Sequence, residues 1–140
     1  MTGLIVCAAV LAAATVHGLV HRRRNGRVRV RAKDGGERLT AAELGGPLGE
    51  RATLVQFSSA FCAPCRATRR VLGEVTQIVD GVRHVEIDAE AHLELVRRLG
   101  VLKTPTVLVL DAGGSVVRRA SGQPRKADVI AALGAAVQTA

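Results

Sequence analysis

A strand-like run at 53–57 leads into Cys62-Ala63-Pro64-Cys65, and a helix-like run follows at once. No other feature constrains this chain as much. Two cysteines three apart at a helix start lie on one face, one turn apart. That spacing is short enough for a disulfide across the turn. A thiol in the first turn faces backbone N–H groups that no helical carbonyl satisfies, and the helix dipole adds to their pull. Both favour the thiolate, the form that attacks disulfides. A chain of 140 residues has room for one domain of ordinary size. Its apolar share of 48% suffices for a core, but it has Phe57 and Phe61 with no Trp or Tyr. The core must therefore be packed from Val, Leu, Ile and Ala. Three cysteines do not make a disulfide-stapled secreted scaffold, so they read as a working pair and a spectator, Cys7.

The formal charge of +8 is unevenly placed. Arg22, Arg23, Arg24, Arg27, Arg29, Arg31, Lys33 and Arg38 crowd one short segment, against only Asp34 and Glu37. The rest of the chain is nearly balanced. Immediately before this segment, residues 3–20 are apolar except for Thr15 and His17. As a helix they span about 27 Å, just enough for a hydrocarbon core. A cleaved signal peptide is the rival reading, with Ala12-Ala13-Ala14 as a small-residue site, but no positive region precedes the apolar run. A lipoprotein reading of Cys7 fails, because its preceding residue is Val6 and the apolar run lies after it. The arginines all follow the apolar run, so the positive-inside rule holds them, and the domain after them, in the cytoplasm. A nucleic-acid arm would want aromatic stacking residues, and none adjoins. Contact with anionic headgroups fits the charge better. The expected division is a single-pass transmembrane anchor at 1–21, a basic juxtamembrane linker at 22–39 and a domain at 40–140.

The rest of the chain alternates strands and helices. Strand candidates are 28–32, 53–57, 82–87, 106–110 and 115–119, the last two forming a hairpin over Asp111-Ala112-Gly113-Gly114. Helices are expected at 40–48, where Thr40 and Glu43 make a capping box, and at 62–79, 91–99 and 126–137. The order βαβαβαββα predicts an α/β domain, a mixed sheet with helices on both faces.

Four marks now make the chain resemble the thioredoxin family: Phe61-Cys62-Ala63-Pro64-Cys65 after a strand, Ile87-Asp88 closing the next strand, Thr104-Pro105-Thr106 before an apolar strand, and Gly122 after the hairpin. The resemblance covers roughly 40–133 and leaves the N-terminal segment outside. It implies a thioredoxin-like fold and a thiol–disulfide oxidoreductase. Cys62 would be the attacking thiol and Cys65 the more buried resolving one. Pro64 would restrain the first turn, where no N–H is lost. Phe61 would cover the pair from one side. Pro105 would be cis and face the pair, and the backbone at Thr104 would hold an extended client peptide by strand-like hydrogen bonds. Phe61, Ala63, Pro64, Thr104, Pro105 and Gly122 are thus the expected client-binding residues.

The departures are informative. Phe61 stands where thioredoxin usually has Trp, and Ala63 where it usually has Gly. Gln56 stands where thioredoxin has a buried Asp that assists proton transfer at the resolving cysteine, and Gln cannot exchange a proton at neutral pH. His84 corresponds to the lysine that usually partners that acid. It either reaches the site or is merely a strand residue pointing to solvent. Gln56 and His84 are the expected modulating residues.

The sequence thus predicts a membrane-tethered oxidoreductase, acting as a reductase on client proteins. Two readings share the fold: a non-catalytic adaptor, and an exported factor for disulfide formation or cytochrome maturation. A zinc module would need two more ligands, and Cys7, His84 and His92 do not supply them at paired spacing. No metal, nucleic acid or cofactor is expected. Without a nicotinamide or flavin motif, electrons must come from another protein or a small thiol.

Overall fold

The computed structural model describes residues 2–24, 27–30 and 36–138. The elements are α1 (Thr2–Arg24), β1 (Val28–Val30), β2 (Ala52–Ser58), α2 (Ala63–Ile78), β3 (Val82–Asp88), α3 (Leu93–Arg98), β4 (Thr106–Asp111), β5 (Val116–Ser121) and α4 (Lys126–Gln138). One five-stranded sheet runs in the order β1-β5-β4-β2-β3. β2 and β3 are parallel. The other pairs are antiparallel.

The hydropathy pattern explains the layering. β2 and β4 read as continuous apolar runs because they are central strands, buried on both faces. On one face Leu54, Val107, Val109 and Ala120 pack under Leu72 and Val75 of α2 and Val129, Ala132 and Leu133 of α4. On the other, Val55, Phe57, Val85, Ile87, Leu108 and Leu110 pack with Leu39, Leu44, Leu95 and Leu99. Phe57 is the largest fully buried side chain. Aliphatic packing alone supplies the rest, as the composition requires.

The helix expected at 40–48 is a single turn instead. The capping box does form: the Thr40 N–H donates to Glu43 Oε2 at 2.8 Å, and the Glu43 N–H donates to Thr40 Oγ1 at 3.3 Å. Termination follows at once. The Gly45 N–H reaches back to the Ala42 carbonyl, and the Gly46 N–H to Ala41, a Schellman closure around Gly45 at φ 66°. Pro47 then bars any further turn. Start and stop signals stand too close together to leave a helix between them.

β1 lies within the basic segment 22–39 and pairs with the outer edge of β5. That segment therefore contributes a strand to the sheet. α1 is 23 residues long with none buried, so its length and composition suit either a membrane span or a signal sequence.

Candidate active site

α2 begins where β2 ends, and the cysteine pair occupies that junction. Cys62 is the N-cap of α2, with Pro64 in the first turn. Its Sγ accepts a hydrogen bond from the Cys65 N–H at 3.2 Å. The Cys65 and Arg66 N–H groups also converge on the Cys62 carbonyl. An N-cap position normally taken by Ser, Thr, Asp or Asn is thus filled by a sulfur, which places that sulfur where negative charge is best tolerated. Cys62 and Cys65 are joined as a disulfide, with Cα atoms 5.2 Å apart. Cys62 is partly exposed and Cys65 is buried at 2%.

Gln56 lies beneath the pair, fully buried in the centre of β2. Its Nε2 donates to the Cys65 carbonyl at 2.8 Å and to Ser58 Oγ at 2.9 Å. Its Oε1 meets His84 Nε2 at 3.1 Å. A carbonyl accepts only, so the amide nitrogen must face Cys65, and His84 must carry its proton on Nε2 to donate to Gln56. His84 therefore reaches the site through Gln56 rather than pointing free into solvent.

The polar chain continues outward. Arg69, one turn after Cys65, grips Glu86 through two hydrogen bonds of 2.6 and 2.8 Å. That grip holds the Glu86 carboxyl below its ordinary range, and the Ser58 hydroxyl adds to the effect against the cost of partial burial. The ladder runs from Cys65 through Gln56 and Ser58 to Glu86 and Arg69, tying α2 to β2 and β3. Ser58, Arg69 and Glu86 were not singled out from the sequence. Their signals were a polar residue two after Gln56 on the same strand face, and a cation four after Cys65 on the same helix face.

Burial holds the His84 imidazole below its ordinary value of 6.5; Glu86 opposes the shift and Arg69 adds to it. The unfolded chain therefore takes up a proton below pH 6.5 that the folded chain resists. Stability present above that value is lost as the pH falls through the folded pKa. Replacing His84 by Gln keeps a donor for Gln56 and removes the charge, so urea midpoints should become less sensitive to acidification from pH 6.5. An unchanged pH profile in His84→Gln would show that the imidazole does not titrate with folding.

The other expected site residues gather at the same end of the sheet. The Thr104–Pro105 peptide bond is cis. Thr104 Oγ1 shares a 2.8 Å hydrogen bond with Ser59 Oγ, which anchors the loop before β4 to the loop before Cys62. The Gly122 N–H donates to the Pro105 carbonyl at 2.7 Å, and Gly122 has φ 94°, a conformation open to glycine. Ala63 and Pro64 are exposed on the first turn of α2. Phe61 does not cover the cysteines. It has φ 58° and is 101% exposed, because that backbone conformation turns the ring away from the protein. Ser59 carried no sequence signal.

A capping sulfur open to solvent and bonded to a buried partner one turn on, set on this sheet, defines a thiol–disulfide oxidoreductase. Comparison with known proteins agrees. Residues 46–135 match the thioredoxin family model. The thioredoxin of Bacillus subtilis (strain 168) is 33% identical over 79 residues, covering 56% of this chain and 76% of that protein. The thioredoxin of Alicyclobacillus acidocaldarius subsp. acidocaldarius is 31% identical over 79 residues, covering 56% and 75%. Among solved structures, a mutant thioredoxin from Halobacterium salinarum NRC-1 superposes with TM-score 0.57 at 18% identity, over 63% of this chain and 76% of that one. Chloroplastic thioredoxin z does so with TM-score 0.56 at 22% identity, over 65% and 81%. These two structures share the fold. The chain belongs to the thioredoxin family.

Proposed function

We propose that the protein is a membrane-tethered protein-disulfide reductase whose redox domain faces the cytoplasm. The observation that carries the reading is the asymmetry of the pair: an accessible sulfur at a helix N-cap bonded to an inaccessible one. In the reduced form the Cys62 thiolate attacks one sulfur of a client disulfide and displaces the other as a thiolate, giving a mixed disulfide. Cys65, deprotonated, then attacks Cys62 Sγ. The client leaves with two electrons and, after protonation, two thiols, and the enzyme closes its own disulfide. An electron donor, a protein dithiol or a small thiol, reopens it. Thr104, Pro105 and Gly122 would hold the client backbone, with Phe61, Ala63 and Pro64 on its exposed approach.

The tether is α1, taken as a single span at 1–21; the basic segment 22–39 after it adds β1 and Leu39 to the redox domain expected at 40–140, so that domain reaches back to Val28. The arginines at 22–24 and 27 favour the cytoplasmic side. Treating intact cells with a membrane-impermeant thiol reagent after mild reduction tests the side. Cys62 should stay unlabelled until the membrane is opened. Labelling in intact cells would instead put the domain outside and favour an exported maturation factor. Gln56 favours a second reading, a non-catalytic adaptor, because it removes the proton acceptor beside Cys65. A measurable midpoint potential with no turnover on any disulfide would select that reading.

A further inference from the structure

The register of the sheet places the tether at the redox end of the domain. β1 pairs through Val28 with Ala120, Ala120 with Val107, and Val107 with Gln56. Val28, where the chain enters the sheet, thus lies in the same cross-strand row as the residue that bonds Cys65. Three strand spacings separate the two, about 14 Å. The last residue of α1, Arg24, is four residues before Val28. Four residues reach at most about 14 Å. Gln56, with the cysteine pair directly above it, is therefore held within about 28 Å of the end of α1. The opposite end of the sheet, at Ala52, Asp111 and Val116, points away from the tether.

Charge and exposed surface agree with this placement. Arg22, Arg23 and Arg24 end α1, and Arg27 enters the sheet. Arg27 lines one groove of about 550 Å³ with Arg118 and Arg125, so the β1 edge of the domain is cationic too. Cations this close to an anionic surface draw the domain's tethered edge toward it. Phe61 and Leu102, 101% and 96% exposed, sit in the two loops at the redox end.

We propose that the clients are integral membrane proteins carrying a disulfide within about 30 Å of the bilayer surface. The inference rests on α1 being a span and on the Cys62–Cys65 pair being the redox site. A short tether at the redox end raises the effective concentration of the pair toward such disulfides. It also places the bilayer beside the approach that a bulky soluble client would use.

The test uses the full chain, pre-reduced and freed of reductant, in vesicles of phosphatidylcholine containing phosphatidylglycerol. The probes are single-span peptides with a two-cysteine disulfide loop placed directly after the span, or on a rigid helical spacer of about 60 Å, some 40 residues. The near loop should be reduced at least about tenfold faster than the far loop. A similar spacer inserted between Arg24 and Asn25 should shift the preference to the far loop. Equal rates for both loops, with dithiothreitol reducing them equally, would overturn the inference. So would its two foundations failing, and these are read separately. Loss of vesicle flotation removes the span, and undiminished reduction by Cys62→Ser removes the redox site.

Discussion

Replacing Cys62 by Ser takes insulin reduction down to the uncatalysed background, a fall of at least about a thousandfold. The magnitude follows from what the hydroxyl cannot do. A serine at the N-cap accepts the Cys65 N–H as well as sulfur does, so α2 keeps its start and the fold is retained. But it neither ionises near neutral pH nor forms a disulfide. Cys65 cannot substitute, because only 2% of it reaches solvent and a client sulfur has no line of approach. Cys65→Ser fails differently. Cys62 still attacks, but no neighbouring sulfur releases the client, and mixed disulfides accumulate in place of product. Mass spectrometry under non-reducing conditions separates the two outcomes: free enzyme for the first variant, client adducts for the second. Unchanged turnover in Cys62→Ser would refute the catalytic assignment.

The same two residues show what a sequence can reveal. Cys62, Cys65 and the strand runs were legible because each rests on local chemistry, an N-cap or a continuous apolar stretch, whereas the cis Thr104–Pro105 bond was expected only through the resemblance to a family. The turn at 40–48 misled because start and stop signals were both genuine and the sequence does not announce which prevails. Phe61 misled because a positive φ is rare for a bulky side chain and leaves no mark in composition. The Gln56–Ser58–Glu86–Arg69 ladder was invisible for a third reason. It requires the parallel register that sets Gln56 beside Glu86, two strands separated by a helix, and periodicity does not fix such a register. Gln56 itself was readable only as a departure from its family, and its partner His84 only as an open question. The hydrogen bond between them answers that question.

Gln56→Asp should speed resolution of the mixed disulfide at neutral pH by about a hundredfold, the low end of what a positioned general base contributes. Before Cys65 can attack, its thiol must lose a proton inside a nearly dry site. Gln56 donates to the Cys65 carbonyl and has no basic atom to offer. His84 is one residue further off, and its Nε2 is spent as a donor to Gln56 Oε1. In the natural chain the proton therefore leaves by water, which burial makes slow. An aspartate at 56 brings a base to within one side chain of the sulfur and keeps an acceptor for His84. Burial raises its pKa above the unfolded value of about 3.9. The stability of the variant is then fully present below that value and lost as the pH rises through the folded pKa. Faster resolution and lower stability at pH 7 must therefore appear together, the first followed by rapid quench of a preformed adduct and the second by urea unfolding. Gln56→Leu separates the two effects. It leaves the His84 N–H without its acceptor, costing about 1–3 kcal/mol, takes away the second donor to the Cys65 carbonyl, and supplies no base. Destabilisation with resolution no faster than in the natural chain is its expected result. If Asp and Leu variants resolve the adduct at the same rate, position 56 is not coupled to the Cys65 proton, and Gln56 serves only to hold the start of α2 against the sheet.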